Sequence, residues 1–287
     1  MKKIGIIDIG TNTIRGVLYD LNSLTFEKSD VVLESQILKH TIDCKLDEKG
    51  IDFLRDAINH EKSFLQQNGA EKIYSFATSA MRDVKNFDKV YESILSLCNI
   101  KIELLSEEDE AYCDFLSLKN ALGNSSKGVG IDLGGGSMQS FVFDEEKLLY
   151  FSSFPIGVKR LYNKFDASHP NEEKIIKYIN EFLKNLPVIK SEYLYVMGGT
   201  GKNIKKILDK TKGINKDIPT DILSLKEEPF KNEENYKQFI RLGINTIPYG
   251  ILTISEVAKK IGAKNIKIMN CSSRDGFAIQ KYNLLKK

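Results

Sequence analysis

The chain has 287 residues, 41% of them hydrophobic, and this length predicts two packed lobes rather than one domain. Its 42 Lys and Arg residues against 39 Asp and Glu leave a formal charge of +3, which is too small for a protein that coats a polyanion by electrostatics alone. The four cysteines have no CxxC spacing and no histidine cluster beside them, which argues against a structural zinc site or a disulfide framework and favours a reducing compartment.

The chain opens with two short runs rich in β-branched residues, 3–9 and 14–20, on either side of a polar, glycine-led turn at residues 10–13. This pattern predicts a β-hairpin. Asp8 interrupts the first apolar run before a signal sequence or a membrane span can form. We therefore expect a cytoplasmic protein.

The next segments alternate between helical and strand patterns. A helix with an apolar face is predicted around residues 51–65 and is ended by Gly69, and a second one covers 86–98. Strands are predicted at 73–76 and 101–105. Ser106 followed by Asp109 resembles a capping box that opens a helix through Leu122, and the polar residues 124–127 are the candidate linker.

The opening pattern then recurs, since GIIDIGTNTIRGVLYD is matched by GVGIDLGGGSMQSFVFD at a constant offset of 124 residues. Asp8 is thereby paired with Asp132, and Gly10 with Gly134. An internal duplication of a whole lobe follows from this register. We predict an α/β fold of two duplicated lobes, residues 1–124 and 125–287, with an interlobe cleft, and the last helix is a candidate to pack back on the first lobe.

The second half continues the alternation of helices and strands. The sequence predicts a helix at 171–185, a strand at 193–197, a glycine-rich loop at 198–201 and a helix from residue 202, with a helix, a strand and a helix closing the chain. The lysine-rich stretch 202–237 is predicted to be solvated surface. The sequence GGTGK at 198–202 is not a P-loop, because Val196 stands where that motif requires glycine.

Three glycine-bearing loops, each directly after a predicted strand, offer backbone N–H groups that can hold phosphate oxygens. Each loop alone could equally be an ordinary tight turn. Asp8 and Asp132 at the strand ends could hold Mg²⁺, or they could cap turns. The acidic run 107–110 could supply a general base, although acidic residues in a first helical turn also complement the helix dipole.

Three arginines lie beside small polar residues, where a guanidinium could pair with phosphate oxygens or simply face solvent: Arg15, Arg82 and Arg274. The histidines have neither metal-ligand spacing nor a triad context, and we assign no role to His40, His60 and His169.

Six short elements, taken in order, resemble one known family, the exopolyphosphatase and guanosine pentaphosphate phosphohydrolase family of the actin-like superfamily. They are IDIGTNTIR at 7–15, ATSAMRD at 77–83, SEEDEA at 106–111, IDLGGGSMQ at 131–139, MGGTGKNI at 197–204 and SSRDG at 272–276. The resemblance runs along nearly the whole chain and is to the short, two-domain members. It implies two actin-like (RNase H-like) lobes.

The resemblance also implies a hydrolase that removes the terminal phosphate from inorganic polyphosphate or pppGpp with Mg²⁺ in the cleft. By position, Glu110 matches the catalytic base, and Asp132 matches an acidic residue that holds metal and water. The implied substrate-binding residues of the first loop are Thr11, Asn12, Thr13 and Arg15. Arg82 of the ATSAMRD element is also implied to bind substrate. The second loop contributes Gly134, Gly135, Gly136 and Ser137, and the third contributes Gly198, Gly199 and Thr200. The implied metal site comprises Asp8, Asp132 and Gln139.

Two departures from the family pattern predict weaker metal binding and lower activity. Gln139 stands where the family usually has a glutamate, and Glu107 stands where it usually has glycine. A polyphosphate or alarmone sensor with little or no turnover is therefore the alternative, and an ATP-dependent kinase or ATPase is a third reading that the acidic element disfavours. No partnership with a nucleic acid polymer or a membrane is expected, and a homodimer is left open.

Overall fold

The computed structural model describes residues 2–11, 13–21, 26–28, 33–35, 37, 39–123, 127–165, 171–212, 218–219 and 244–286. The chain divides into two compact units, residues 1–110 with 277–287 and residues 111–276. No helix in the described ranges is long and apolar enough to span a membrane.

The first unit is built on a six-stranded sheet that is covered by helices, with a separate two-stranded sheet formed by β5 and β6. Its elements, with the whole of α4 included, are β1 (Lys3–Ile9), β2 (Thr13–Asp20), β3 (Phe26–Lys28), β4 (Leu33–Glu34), β5 (Thr41–Ile42), β6 (Lys45–Leu46), α1 (Glu48–Gln67), β7 (Lys72–Ala77), α2 (Ser79–Arg82), α3 (Phe87–Cys98), β8 (Ile102–Leu104) and α4 (Glu107–Leu122). The strand order is β3-β2-β1-β7-β8, and β4 also pairs with β2.

The second unit repeats this plan. Its elements, with the whole of α9 included, are β9 (Lys127–Leu133), β10 (Met138–Asp144), β11 (Lys147–Phe154), α5 (Val158–Lys164), α6 (Glu172–Leu183), β12 (Tyr193–Met197), α7 (Gly198–Lys212), β13 (Ile218–Pro219), a 3₁₀ turn (Ile244–Thr246), α8 (Ile247–Ile261), β14 (Asn265–Ile268) and α9 (Ser273–Lys286). The strand order is β11-β10-β9-β12-β14-β13.

The two sheets share one topology. In each, three strands run antiparallel as a meander. The first of them pairs in parallel with a fourth strand, β7 or β12, which in turn pairs in parallel with a fifth, β8 or β14. The common order confirms the duplicated α/β fold that the 124-residue offset predicts. The expected cleft between the lobes stays a prediction.

Alternation along the strands gives the second sheet two different faces. One face is aliphatic and packs with residues of α5, α6 and α8, and it includes Val129, Ile131 and Leu133 of β9. The opposite face is aromatic and includes Phe141, Phe143 and Tyr195, which cluster with Phe115 of α4. Asp132 belongs to the α4 side, because it alternates with the three aliphatic residues of β9.

Most predicted elements are confirmed, and the third loop is an exception. The prediction of a loop at Gly198–Gly201 followed by a helix from Lys202 is wrong, because α7 begins at Gly198, directly after β12. Three glycines in four residues favour a turn over a helix when only local propensity is considered. The last residue of the predicted linker 124–127, Lys127, begins β9. The other three linker residues, His169 and most of 213–237 lie outside the described residues.

Candidate active site

The first two glycine loops close in the same way. The N–H of Gly10 donates to the carbonyl of Thr13 at 3.0 Å, and the N–H of Gly134 donates to that of Ser137 at 3.0 Å. Thr11 is buried, with 8% of its surface exposed, and Thr13 is half-buried. Asn12 lies outside the described residues. The predicted equivalence of the two loops therefore extends to their turn geometry.

The aspartates that precede these loops have different strand partners. Asp8 of β1 lies opposite Arg15 of β2, whereas Asp132 of β9 lies opposite Gln139 of β10. Arg15 and Gln139 are therefore duplicates of one position, a relationship already implied by the 124-residue offset. Directly opposite residues on antiparallel strands have adjacent side chains. The first aspartate is thus partnered with a cation and the second with a neutral amide.

Gln139 is buried, with 2% of its surface exposed, and it is held by specific hydrogen bonds. Its Nε2 donates to Oγ of Ser137 at 2.8 Å and lies 3.5 Å from Oγ of Ser153. A glutamate in this place has no N–H to donate. The amide is therefore integrated into the second loop.

Asp132 has a second carboxyl group beside it that the sequence analysis did not identify. Asp114 of α4 is fully buried, and its carboxyl group is close enough to Asp132 to shift the pKa of that residue. Withdrawal from water raises the pKa of Asp132, and the interaction with Asp114 and the positive charges of Lys202 and Arg274 oppose that rise. Asp114 follows Glu110 by four positions, so a count along the helix could have placed both carboxylates on one face.

The third glycine segment lies against the same aspartate. Gly198 has a φ of +83°, and a Cβ at this residue would lie 2.1 Å from Oδ1 of Asp132. Only glycine fits, because both the left-handed backbone and the close carboxylate exclude a side chain. Gly199 has open space where a Cβ would be, and Thr200 is buried. The start of α7 is thus fitted around Asp132.

Lys202 is the fifth residue of α7. Burial lowers the pKa of this ammonium group, while the negative charges of Asp275 and Asp132 act in the opposite direction. No role was predicted for Lys202, although it ends the GGTGK string.

The acidic run at the start of α4 separates into exposed and buried members. Glu107, Glu108 and Asp109 are exposed, whereas Glu110 has only 8% of its surface exposed. Ser106 caps the helix, because its Oγ accepts from the N–H of Asp109 at 3.0 Å. This confirms the predicted cap. A favourable interaction with the dipole of α4 accounts for the three exposed carboxylates, but it does not account for the burial of Glu110.

Glu110 is held by Arg82, the last residue of α2. Nη1 of Arg82 donates to Oε2 of Glu110 at 2.8 Å and to the carbonyl of Leu105 at 2.9 Å. Charge-assisted hydrogen bonds of this length are among the strongest polar contacts in proteins. Arg82, expected to bind substrate, is therefore in direct contact with the predicted base.

Within the described ranges, no group of three or more His, Cys, Asp and Glu side chains could by itself hold a metal ion. Two histidines have local partners. Nδ1 of His40 lies 3.2 Å from Oδ2 of Asp47, and Nδ1 of His60 lies 3.6 Å from Oε1 of Glu61. All four cysteines are free thiols.

Comparison with known proteins places this geometry in context. A family model described as the Ppx/GppA phosphatase family matches residues 13–284. Exopolyphosphatase 1 of Mycobacterium tuberculosis is 25% identical to the chain over 186 residues, which are 63% of this chain and 54% of that protein. The chain thus spans about half the length of this curated relative.

Two solved structures share the fold over nearly their whole length. An exopolyphosphatase from Cytophaga hutchinsonii superposes with a TM-score of 0.82 and 20% identity, covering 98% of both chains. The Ppx/GppA family member of Aquifex aeolicus superposes with a TM-score of 0.80 and 18% identity, covering 99% of this chain and 98% of that one. At this level of identity the two likenesses establish the fold.

Proposed function

Since this chain belongs to the Ppx/GppA phosphatase family, we propose that it is an exopolyphosphatase-type hydrolase that releases the terminal phosphate of inorganic polyphosphate, of pppGpp, or of both. The observation that carries the proposal is the pairing of Glu110 with Arg82, which distinguishes one buried carboxylate from its exposed neighbours. A buried, oriented carboxylate is suited to general base catalysis.

The proposed reaction is attack of water on the terminal phosphorus. The water oxygen forms the new P–O bond, the bond between that phosphorus and the bridging oxygen breaks, and the shortened chain leaves with the electron pair. Glu110 accepts the proton of the water, and Arg82 keeps its carboxylate oriented. The N–H groups of the glycine loops bind phosphate oxygens, whose charge they offset without the mobility of long side chains.

Mg²⁺ is the cation that we propose for this site, and the donors of the second lobe fit it. Asp132 and Asp114 offer carboxylate oxygens, and the amide oxygen of Gln139 lies on the strand beside Asp132. Hard divalent cations prefer oxygen ligands of this kind. Asp8 is a weaker candidate than expected, because its strand partner Arg15 is itself a cation. When bound, Mg²⁺ would neutralise charge on the phosphate oxygens.

A phosphate-chain sensor is the second candidate function, and Gln139 is the observation that favours it. Its Nε2 donates to Ser137 at the end of the second loop, so the loop is bound without the charge of a glutamate. A site with less negative charge repels a phosphate chain less and holds Mg²⁺ more weakly. Such a site would retain its ligand and turn it over slowly.

Phosphate release from long-chain polyphosphate, pppGpp and ATP, measured in parallel with and without Mg²⁺, tests both functions. The hydrolase predicts Mg²⁺-dependent release from polyphosphate or pppGpp, and release that Glu110→Gln lowers by about 10²–10⁴-fold while substrate affinity is kept. Binding without release by the wild type would support the sensor. Release from ATP alone would contradict both.

A Mg²⁺ titration of Gln139→Glu separates the two further. The added carboxylate lies beside Asp132, so the variant should be less stable in EDTA and should gain more in melting temperature from Mg²⁺ than the wild type. The hydrolase also predicts a lower Mg²⁺ requirement for turnover. Identical melting and activity curves for the two proteins would remove residue 139 from the metal site.

A further inference from the structure

The first turn of α5 donates hydrogen bonds to the backbone carbonyls of the second glycine loop. The N–H of Val158 donates to the carbonyl of Gly134 at 3.0 Å, and the N–H groups of Lys159 and Arg160 donate to that of Gly135 at 2.9 and 3.1 Å. The side chain of Arg160 adds a bond from Nε to the carbonyl of Gly136 at 2.9 Å. Three consecutive loop carbonyls thus point toward α5.

Gly157 makes this approach possible. A Cβ at residue 157 would lie 2.4 Å from the carbonyl carbon of Gly136 and from the nitrogen of Ser137, and 2.5 Å from the carbonyl carbon of Gly135. These are backbone atoms, which cannot move aside by a change of rotamer. Any side chain larger than hydrogen must therefore displace the loop, the helix, or both.

The carbonyl orientation has a consequence for the N–H groups of the same loop. Among the residues that the structure describes, the N–H groups of Gly135, Gly136 and Ser137 have no hydrogen-bond acceptor. Consecutive N–H groups whose carbonyls are tied elsewhere form a preorganised surface for an anion. Their orientation is set before ligand arrives, so binding does not have to order the loop.

The loop of the first lobe closes through the same Gly10 to Thr13 bond. Among the described residues, no N–H donates to the carbonyls of Gly10 or Thr11.

We propose that Gly157 and Arg160 are positioning residues of the second phosphate loop, which they fix in its anion-binding conformation. The proposal rests on the proposed function for the identity of the ligand. Arg160 acts through its Nε–H, which donates to the carbonyl of Gly136. Neither residue is expected to take part in proton transfer.

The experiment compares the wild type with Gly157→Ala and Arg160→Lys. The lysine keeps the positive charge and loses the Nε donor. Affinity for imidodiphosphate, a pyrophosphate analogue whose P–N–P bridge resists hydrolysis, is measured by calorimetry with Mg²⁺. We expect Arg160→Lys to lower the affinity about 5-fold, and Gly157→Ala to lower it at least 10-fold. Lys164→Ala, which removes one exposed charge from the same helix, serves as the control and should bind as the wild type does.

Amide hydrogen exchange in the ligand-free proteins, followed by NMR, is the second readout. The N–H of Gly134, which closes the turn, should exchange faster in both variants than in the wild type and in Lys164→Ala. Unchanged hydrogen exchange and unchanged affinity in both variants would overturn the proposal. A further variant, Arg160→Met, removes the charge as well as the Nε donor. Full affinity in Arg160→Lys with a loss of affinity in Arg160→Met would also overturn the proposal, because only the charge of residue 160 would then matter. A wild type that neither binds imidodiphosphate nor releases phosphate contradicts the proposed function, while the exchange rates still decide whether the two residues position the loop.

Discussion

Removal of the Arg82 side chain should affect turnover more than substrate affinity. In the structure, Nη1 of Arg82 is engaged with Glu110 and with the carbonyl of Leu105. Arg82→Ala leaves both acceptors with one donor fewer in a partly buried place. If Arg82 instead only bound phosphate, as the sequence analysis expects, its loss would raise KM, and the effect would shrink at high salt.

The expected magnitude follows from burial and bond type. The side chains of Arg82 and Glu110 are only 18% and 10% exposed, so the pair is screened less than a surface ion pair. A hydrogen bond to a charged group contributes about 1.5–3 kcal/mol to the free energy of unfolding, and we expect Arg82→Ala to lose an amount in this range. A carboxylate displaced by about 1 Å loses roughly 10²-fold in rate, so kcat should fall about 10- to 100-fold.

The assay is steady-state phosphate release at low and high salt, combined with urea unfolding of Arg82→Ala, Glu110→Gln and the double variant. The double variant should lose less stability than the sum of the two single variants, because the paired atoms are coupled. It should also be no slower than Glu110→Gln. A wild-type kcat in Arg82→Ala with a raised, salt-sensitive KM would refute the reasoning and restore Arg82 to the substrate.

Three further changes test other parts of the structure. Gly276→Ala places a Cβ 1.7 Å from the backbone oxygen of Cys113, so overpacking of about 1–3 kcal/mol should exceed the helix-propensity gain of roughly 1 kcal/mol, and a raised melting temperature would count against this contact. Asp132→Asn removes a carboxylate whose native pKa is raised, so the variant should be more stable than the wild type at pH 7. That gain should shrink as the pH falls through the native pKa and vanish below about 3.9, where both states are protonated, and urea titrations across this range check it. Burial raises the pKa of Cys271 to about 12, whereas Cys44 is exposed, so a thiol reagent at pH 8 should label Cys44 first, as peptide mapping would show.

The duplication could be predicted from the sequence because each copy has the same pattern of strand, glycine turn and strand within a short stretch of chain. Two strand patterns at a fixed offset require two similar sheets, and the matching strand orders and turn bonds confirm this. The cap at Ser106 was accessible for the same reason, since a capping box involves residues only three positions apart. Local rules succeed where the interaction itself is local.

The remaining features depend on contacts between residues far apart in the chain. Residues 198–201 begin α7, and a carboxylate oxygen of Asp132 occupies the space of a Cβ at Gly198. Asp114 belongs to no motif of the sequence, and its burial is what distinguishes it from the exposed charges of α4. The first turn of α5 was missed because a helix of seven residues has too few turns to show periodicity.

The position of Glu110 in its helix has a consequence for the temperature range of the protein. Its N–H donates to the carbonyl of Ser106 at 3.0 Å, so this residue makes the first backbone bond of α4. The first turn of a helix frays more readily than its interior, and here the Ser106 cap and the Arg82 contact oppose fraying. Heat should release this turn while the sheets remain intact. Catalysis would then be lost in a separate step, at a temperature below that at which the fold melts.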